Sequence, residues 1–133
     1  MEKIFVDTSA LYALISIEDH GYEKALLIWE DMIQRGNMLT TNNYILVECF
    51  SLLQHRLGIE AVRQLELKIV PLLQIDWISE KQHAHSVNLV FSANRRQLSL
   101  VDCSSFETMR SLKIEKVFTF DDHFREQGFD VIP

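Results

Sequence analysis

Ile4-Phe5-Val6-Asp7-Thr8-Ser9-Ala10-Leu11 opens the chain with three apolar residues, a carboxylate, two hydroxyls and a return to apolar side chains. Ile4–Val6 has the make-up of a short strand buried on both faces, because it is continuously apolar and does not alternate. Asp7 ends the run, and Thr8-Ser9 then opens a short helix through Ala10-Leu11-Tyr12-Ala13-Leu14. A buried strand that passes directly into a helix is the first half of a parallel β–α–β unit.

Downstream the same alternation continues. Tyr22, Ala25, Leu26, Trp29, Met32 and Ile33 recur at helical spacing between His20 and Arg35, and Gly36 is placed to end that helix. The stripe of Tyr22, Trp29 and Met32 is expected to face the core. Met38–Thr41 reads as a second strand, and Asn42 or Asn43 caps a helix running to about Leu57. After Gly58, a helix through Ala61, Val62, Leu65 and Ile69 is expected to stop before Pro71. Leu73–Trp77 alternates and predicts a third strand. Ser79 begins a helix carrying Ala84, Val87, Val90 and Phe91, and Ser99 caps another that reaches Leu112. Lys116–Thr119 is a fourth strand, Asp121–Gln127 a short helix closed by Gly128, and Phe129–Ile132 a last strand. No repeat, low-complexity tract or linker interrupts the pattern. The fold class that follows is α/β, with a short parallel sheet covered by helices on both faces.

With 133 residues, 47% of them hydrophobic, the chain suits one compact domain spanning residues 1–133. Four glycines and two prolines are too few for long irregular loops. No window holds the roughly 20 apolar residues of a membrane helix. The strand-like start leaves no room for a signal peptide, so Cys49 and Cys103 are expected as reduced, buried thiols in a cytoplasmic protein. The net charge of −6 counts against tight nonspecific binding of a duplex. It does not exclude metal-assisted cleavage of a folded RNA, because bound cations cancel the charge of the carboxylates that hold them.

In parallel sheets, residues just past the C-terminal ends of strands converge in one crevice. Asp7 directly follows the first strand, and Asp121 lies two residues past the fourth. Asp102 falls in the first turn of the helix capped by Ser99. Glu48 is mid-helix, on a face shared with Tyr44, Ser51, Leu52 and His55. Taken singly, each acid has an ordinary explanation: a helix cap for Asp7 or Asp121, a dipole-favoured acid for Asp102, a solvated side chain for Glu48. Taken together, they form a cluster whose mutual repulsion calls for protons or cations. Oxygen ligands of this kind suit Mg²⁺ or Mn²⁺, which activate water and stabilise the oxygens of a phosphodiester under hydrolysis.

These residues also resemble a known family. Ile4–Leu11 resembles the opening motif of PIN-domain nucleases. Tyr44-Ile45-Leu46-Val47-Glu48 resembles the helix that supplies their glutamate, and Leu98–Phe106 their third acidic motif. Val117–Phe124, with Gly128-Phe129, resembles their C-terminal motif. The similarity spans essentially the whole chain and is nearest to the VapC-like toxins of bacterial toxin–antitoxin pairs. It implies a three-layer α/β/α sandwich and an Mg²⁺- or Mn²⁺-dependent endoribonuclease acting on RNA. It also implies an antitoxin protein as partner and, frequently, a homodimer. It carries the metal-binding role onto Asp7, Glu48, Asp102 and Asp121, and makes Thr8, Ser9, Ser104 and Thr119 candidates for supporting or substrate contacts. Asp122 shadows Asp121 as the fourth acid.

Other polar residues are read as structural. His83 and His85 stand two apart on a helix and point to different sides, so they cannot readily share a metal. His55 is expected in solvent, His123 near Asp121 without a necessary role, and Arg95-Arg96 in a solvated loop. Neither cysteine has zinc-site spacing. Two other classes compete with the nuclease: a PIN-like RNA-binding or interaction module without catalysis, and a phosphoacceptor domain built on Asp7. The latter needs a strand-end lysine that the chain lacks. A solitary PIN nuclease without antitoxin is the variant within the leading class.

Overall fold

The computed structural model describes residues 1–133. Five parallel strands form one sheet in the order β3-β2-β1-β4-β5, where β1 is Lys3–Val6, β2 Met38–Asn42, β3 Gln74–Asp76, β4 Lys116–Phe118 and β5 Asp130–Ile132. Register pairs Phe5 with Thr40 on one side and with Val117 on the other. β1 is therefore central, and Ile4, Phe5 and Val6 are all buried, as a strand covered on both faces requires. The helices are α1 (Thr8–Ile15), α2 (Tyr22–Gln34), α3 (Asn43–Leu57), α4 (Ile59–Gln64), α5 (Glu80–Ala93), α6 (Leu100–Ser111) and α7 (His123–Glu126). None is long and apolar enough to cross a membrane. A cluster of 27 buried apolar residues runs through the layers, and Trp29 and Met32 of α2 belong to it.

Local capping sets most helix starts. Asn42 accepts the backbone N–H of Ile45, and Ser79 and Ser99 each form a reciprocal capping box, with Gln82 and Asp102 respectively. Asp7 occupies the N-cap position of α1, yet its side chain caps nothing.

Three expectations need correction. The helix entering Pro71 does not stay regular: α4 ends at Gln64, a π-helical turn covers Leu65–Ile69, and a 3₁₀ turn carries Pro71. Proline is tolerated there because it sits in the first turn of a new short helix. The third strand shrinks to Gln74–Asp76, and Trp77 stands 70% exposed just beyond it. β3 is an edge strand, where short length and incomplete burial are normal. On α5 the packed face is not the one through Ala84 and Phe91, both exposed. It runs through buried Ser86 and the half-buried Leu89, Val90 and Ala93, against α6. Small side chains at Ser86 and Ala93 allow that close approach, so apolar spacing alone misjudged the face.

The chain winds outward from β1 through β2 to β3, then returns to the other side of β1 for β4 and β5. The reversal lies between β1 and β4. At such a switch point the helices diverge and leave a crevice beyond the strand ends. Asp7 and the segment Thr119–Asp121 stand at its two sides.

Candidate metal centre

The crevice is a cleft of about 450 Å³ lined by Asp7, Thr8, Ser9, Glu48, Asp102 and Asp121 among others. All four acids singled out in the sequence thus face one space, delivered by β1, α3, α6 and the segment after β4. Asp122 does not: its side chain is 86% exposed and pairs with Arg125 at 3.0 Å.

Asp7 is the most constrained of the four. Its Oδ2 accepts the hydroxyls of Thr119, at 2.8 Å, and Ser9, at 3.0 Å. Those hydroxyls in turn accept the backbone N–H groups of Asp121, at 3.0 Å, and Phe120, at 2.9 Å. Each hydroxyl has one proton, and both protons go to Asp7, so the 3.1 Å contact between the two oxygens is an approach without a donor. The loop after β4 is in this way clamped to the end of β1. Burial pushes the Asp7 carboxyl up to about 6, against the pull of Thr119, the Thr8 backbone and Ser9, with Asp102 adding repulsion. A carboxylate so placed is stabilised by a cation.

Asp102 serves two purposes. Its Oδ2 accepts the Ser99 backbone N–H at 3.0 Å, which makes it the third-position partner of the capping box, and its side chain also lines the cleft. Asp102 thus keeps an ordinary capping role at its own helix start while also lining the cleft. Burial raises its carboxyl; the Ser99 bonds and His123 oppose that rise, while Asp121 adds to it. Asp121 caps its own turn by accepting the His123 N–H at 2.9 Å. Glu48 is half-buried on α3.

Thr8 lines the cleft with a buried hydroxyl that has no partner, and Ser9 and Thr119 hold Asp7. Ser104 is turned away: it is buried, donates to Val101 O at 2.7 Å, and accepts from Asn42 at 3.3 Å. His83 and His85 diverge to Tyr44 and Glu107. Cys49 and Cys103 are free and buried. Burial, with Glu48 and Asp7 nearby, pushes the Cys49 thiol up to about 12, which leaves it an unreactive core residue.

Two further residues stand at the candidate site: Arg56, not singled out in the sequence, and His123, expected near Asp121 but given no role there. Arg56 lines the cleft, its guanidinium 5.5 Å from the centre of the Tyr12 ring. The signal was present: Glu48, Leu52 and Arg56 stand four apart on α3 and all reach the cleft, whereas Tyr44 and Ser51 leave that face. His123 approaches the acids from α7, with Nδ1 3.2 Å from Asp121 Oδ1 and 3.7 Å from Asp102 Oδ2. The approach to Asp121 follows from nearness in sequence; no spacing rule predicts the one to Asp102, because those two residues meet only through tertiary packing.

A parallel α/β/α sandwich with converging carboxylates at its switch point has the make-up of a divalent-cation hydrolase site. The chain belongs to the PIN domain family, whose sequence model matches residues 4–130. It is 28% identical over 127 residues to the 23S rRNA-specific endonuclease VapC20 of Mycobacterium tuberculosis, covering 95% of each chain. It superposes on the crystal structure of VapC20, described as a Sarcin-Ricin loop cleaving toxin, with a TM-score of 0.85 over 95% of both chains. FitAcB from Neisseria gonorrhoeae shares the fold, with a TM-score of 0.69 at 16% identity over 98% of this chain and 96% of that one. So does VapBC2 from Rickettsia felis bound to a promoter DNA fragment, at 0.71 and 11% identity, over 98% and 97%.

Proposed function

We propose that residues 1–133 act as one nuclease unit, a divalent-metal-dependent endoribonuclease in which Asp7, Glu48, Asp102 and Asp121 hold Mg²⁺ or Mn²⁺. The observation that carries this is the convergence of the four acids on one cleft, with Asp7 oriented by the neighbouring Ser9 hydroxyl and the distant Thr119 hydroxyl instead of capping its own helix. The residues suit a cation: all four are oxygen donors, two carboxyls are raised by burial, and buried polar atoms of Thr8 and His123 lack partners.

A divalent cation bound there supplies Lewis acidity, promoting water for attack and offsetting charge on the phosphate. The chain's own residues do the rest. Ser9 and Thr119 fix the Asp7 carboxylate and keep it from rotating. The Ser99 capping box holds Asp102 on a rigid helix start. Arg56, a permanent cation backed by the Tyr12 ring, meets a phosphate oxygen of the RNA in an otherwise acidic cleft.

The relative named as a 23S rRNA-specific endonuclease supports a structured ribosomal RNA as the substrate class. The −6 charge agrees, since shape and a local site, not a broad basic surface, must then provide recognition. We assign the chain the toxin role of a toxin–antitoxin pair, restrained in the cytoplasm by an antitoxin protein and working as a homodimer. The test is cleavage of ribosomes and of free RNA by purified protein with Mg²⁺ or Mn²⁺, beside Asp7→Asn. Equal cleavage by wild type and a folded Asp7→Asn sinks the proposal.

A further inference from the structure

Beside the carboxylates, on the side of Asp102 and Asp121, stands His123. Its imidazole enters from the first residue of α7, and its side chain is 22% exposed. Nδ1 is sealed from solvent and has no hydrogen-bond partner, although two carboxylate oxygens lie near it. A nitrogen in that position needs a proton aimed at an acceptor or a cation. The proton does not serve well, because the 3.2 Å approach to Asp121 is off the line of an N–H bond.

A cation fits better. One ligand atom from each of Asp102, Asp121 and His123 lies within 4.8 Å of the other two. Ligands of an octahedral ion of Mg²⁺ size stand about 2.9 Å apart at adjacent positions, so separations of 3.2 and 3.7 Å need only small closing movements. The backbone holds the arrangement: the His123 N–H donates to Asp121 Oδ1, tying the acid and the imidazole into one turn.

We propose that His123 Nδ1 is a direct ligand of the bound cation, beside Asp102 and Asp121, and that it biases the site toward Mn²⁺ over Mg²⁺. Mg²⁺ takes oxygen ligands in a strict octahedron, whereas imidazole nitrogen is bound better by first-row transition ions. This rests on the metal-dependent reading above and adds to it the identity of one ligand and of the preferred ion.

The test uses the full chain loaded with Mn²⁺ alone and read by pulsed electron paramagnetic resonance, which detects ¹⁴N bonded to the ion. Wild type is expected to show ¹⁴N modulation that is lost in His123→Gln and kept in His20→Gln, the histidine that lines the cleft itself. The ratio of Mn²⁺ to Mg²⁺ affinity, measured by calorimetry, falls on the order of tenfold in His123→Gln. Mn²⁺ bound without ¹⁴N modulation overturns the ligand assignment and leaves the nuclease reading standing. Modulation lost in His20→Gln instead also overturns it. Should His123→Gln fail to fold, wild-type protein labelled with ¹⁵N-histidine decides: unchanged ¹⁴N modulation rejects the proposal, replacement by the ¹⁵N pattern with the His20→Gln control supports it. Absence of any Mn²⁺ binding brings down both readings.

Discussion

Two aspartates stand at the C-terminal edge of the same sheet, one on each side of α3's starting point, and they are used in opposite ways. Asp76, at the end of β3, has its Oδ2 occupied by the Gln82 amide at 2.9 Å and the Thr108 hydroxyl at 3.1 Å. Thr108 accepts from Asn42 at 3.1 Å, so the β2 and β3 strand ends are closed into a network that also fixes α5 and α6. Asp7, at the end of β1, also has one oxygen taken by two donors, but its helices diverge and it faces the cleft beside three more acids. The difference lies in topology. At β2 and β3 the chain continues in one direction and helices cover the edge; between β1 and β4 it reverses and nothing does. Identical chemistry at equivalent strand ends therefore becomes a structural tie in one place and part of an open acidic cleft, the proposed cation site, in the other.

The contrast breaks most directly on paired substitutions. Asp7→Asn is expected to lower RNA cleavage by more than about 100-fold, beyond the 10–100-fold usual for a supporting partner. Circular dichroism should meanwhile show an intact fold. Comparable activity in that variant erases the distinction between the two edges.

Next comes the pH dependence of metal-free protein. The Asp7 carboxyl stands at about 6 in the fold against an ordinary 3.8, so the native state binds the extra proton between those values. Stability from this group is full below about pH 4 and is lost as pH rises through 6, by up to about 3 kcal/mol. Urea titrations at pH 4 and 7 should show that drop in wild type and a smaller one in Asp7→Asn, and added Mn²⁺ should reverse it.

Thr119→Val keeps the shape and removes the hydroxyl that donates to Asp7. Cleavage is expected to fall about 10–100-fold, and the acid limb of the rate profile to move to higher pH, since the Thr119 bond holds the Asp7 carboxyl down. An unmoved limb would show that Thr119 does not orient the acid. The smallest effect belongs to Asp76→Ala. It leaves two donors unpaired and should cost about 1–3 kcal/mol in denaturant titration, while the folded fraction cleaves RNA at the wild-type rate.

Much of this was legible residue by residue. The burial of Ile4–Val6, the caps at Asn42, Ser79 and Ser99, and the placement of Asp7 and Asp121 past strand ends all follow from local chemistry. The α5 face and the irregular stretch from Leu65 to Leu72 did not, because which side of a weakly amphipathic helix is buried depends on its neighbour. The alternation of Leu73–Trp77 likewise implied a longer strand than an edge position supports.

Sequence alone determined the parallel α/β architecture, since strand and helix periods, caps and short apolar runs act over a few residues; with the family resemblance it also singled out the four acids that line one cleft. It did not determine what holds Asp7 or what sits opposite Asp102. The Thr119 hydroxyl lies 112 residues from Asp7, and His123 reaches Asp102 from another helix. Those contacts exist only once β1 and β4 are paired in register and the reversal between them opens the crevice. Periodicity specifies each element, but only packing specifies which element ends meet.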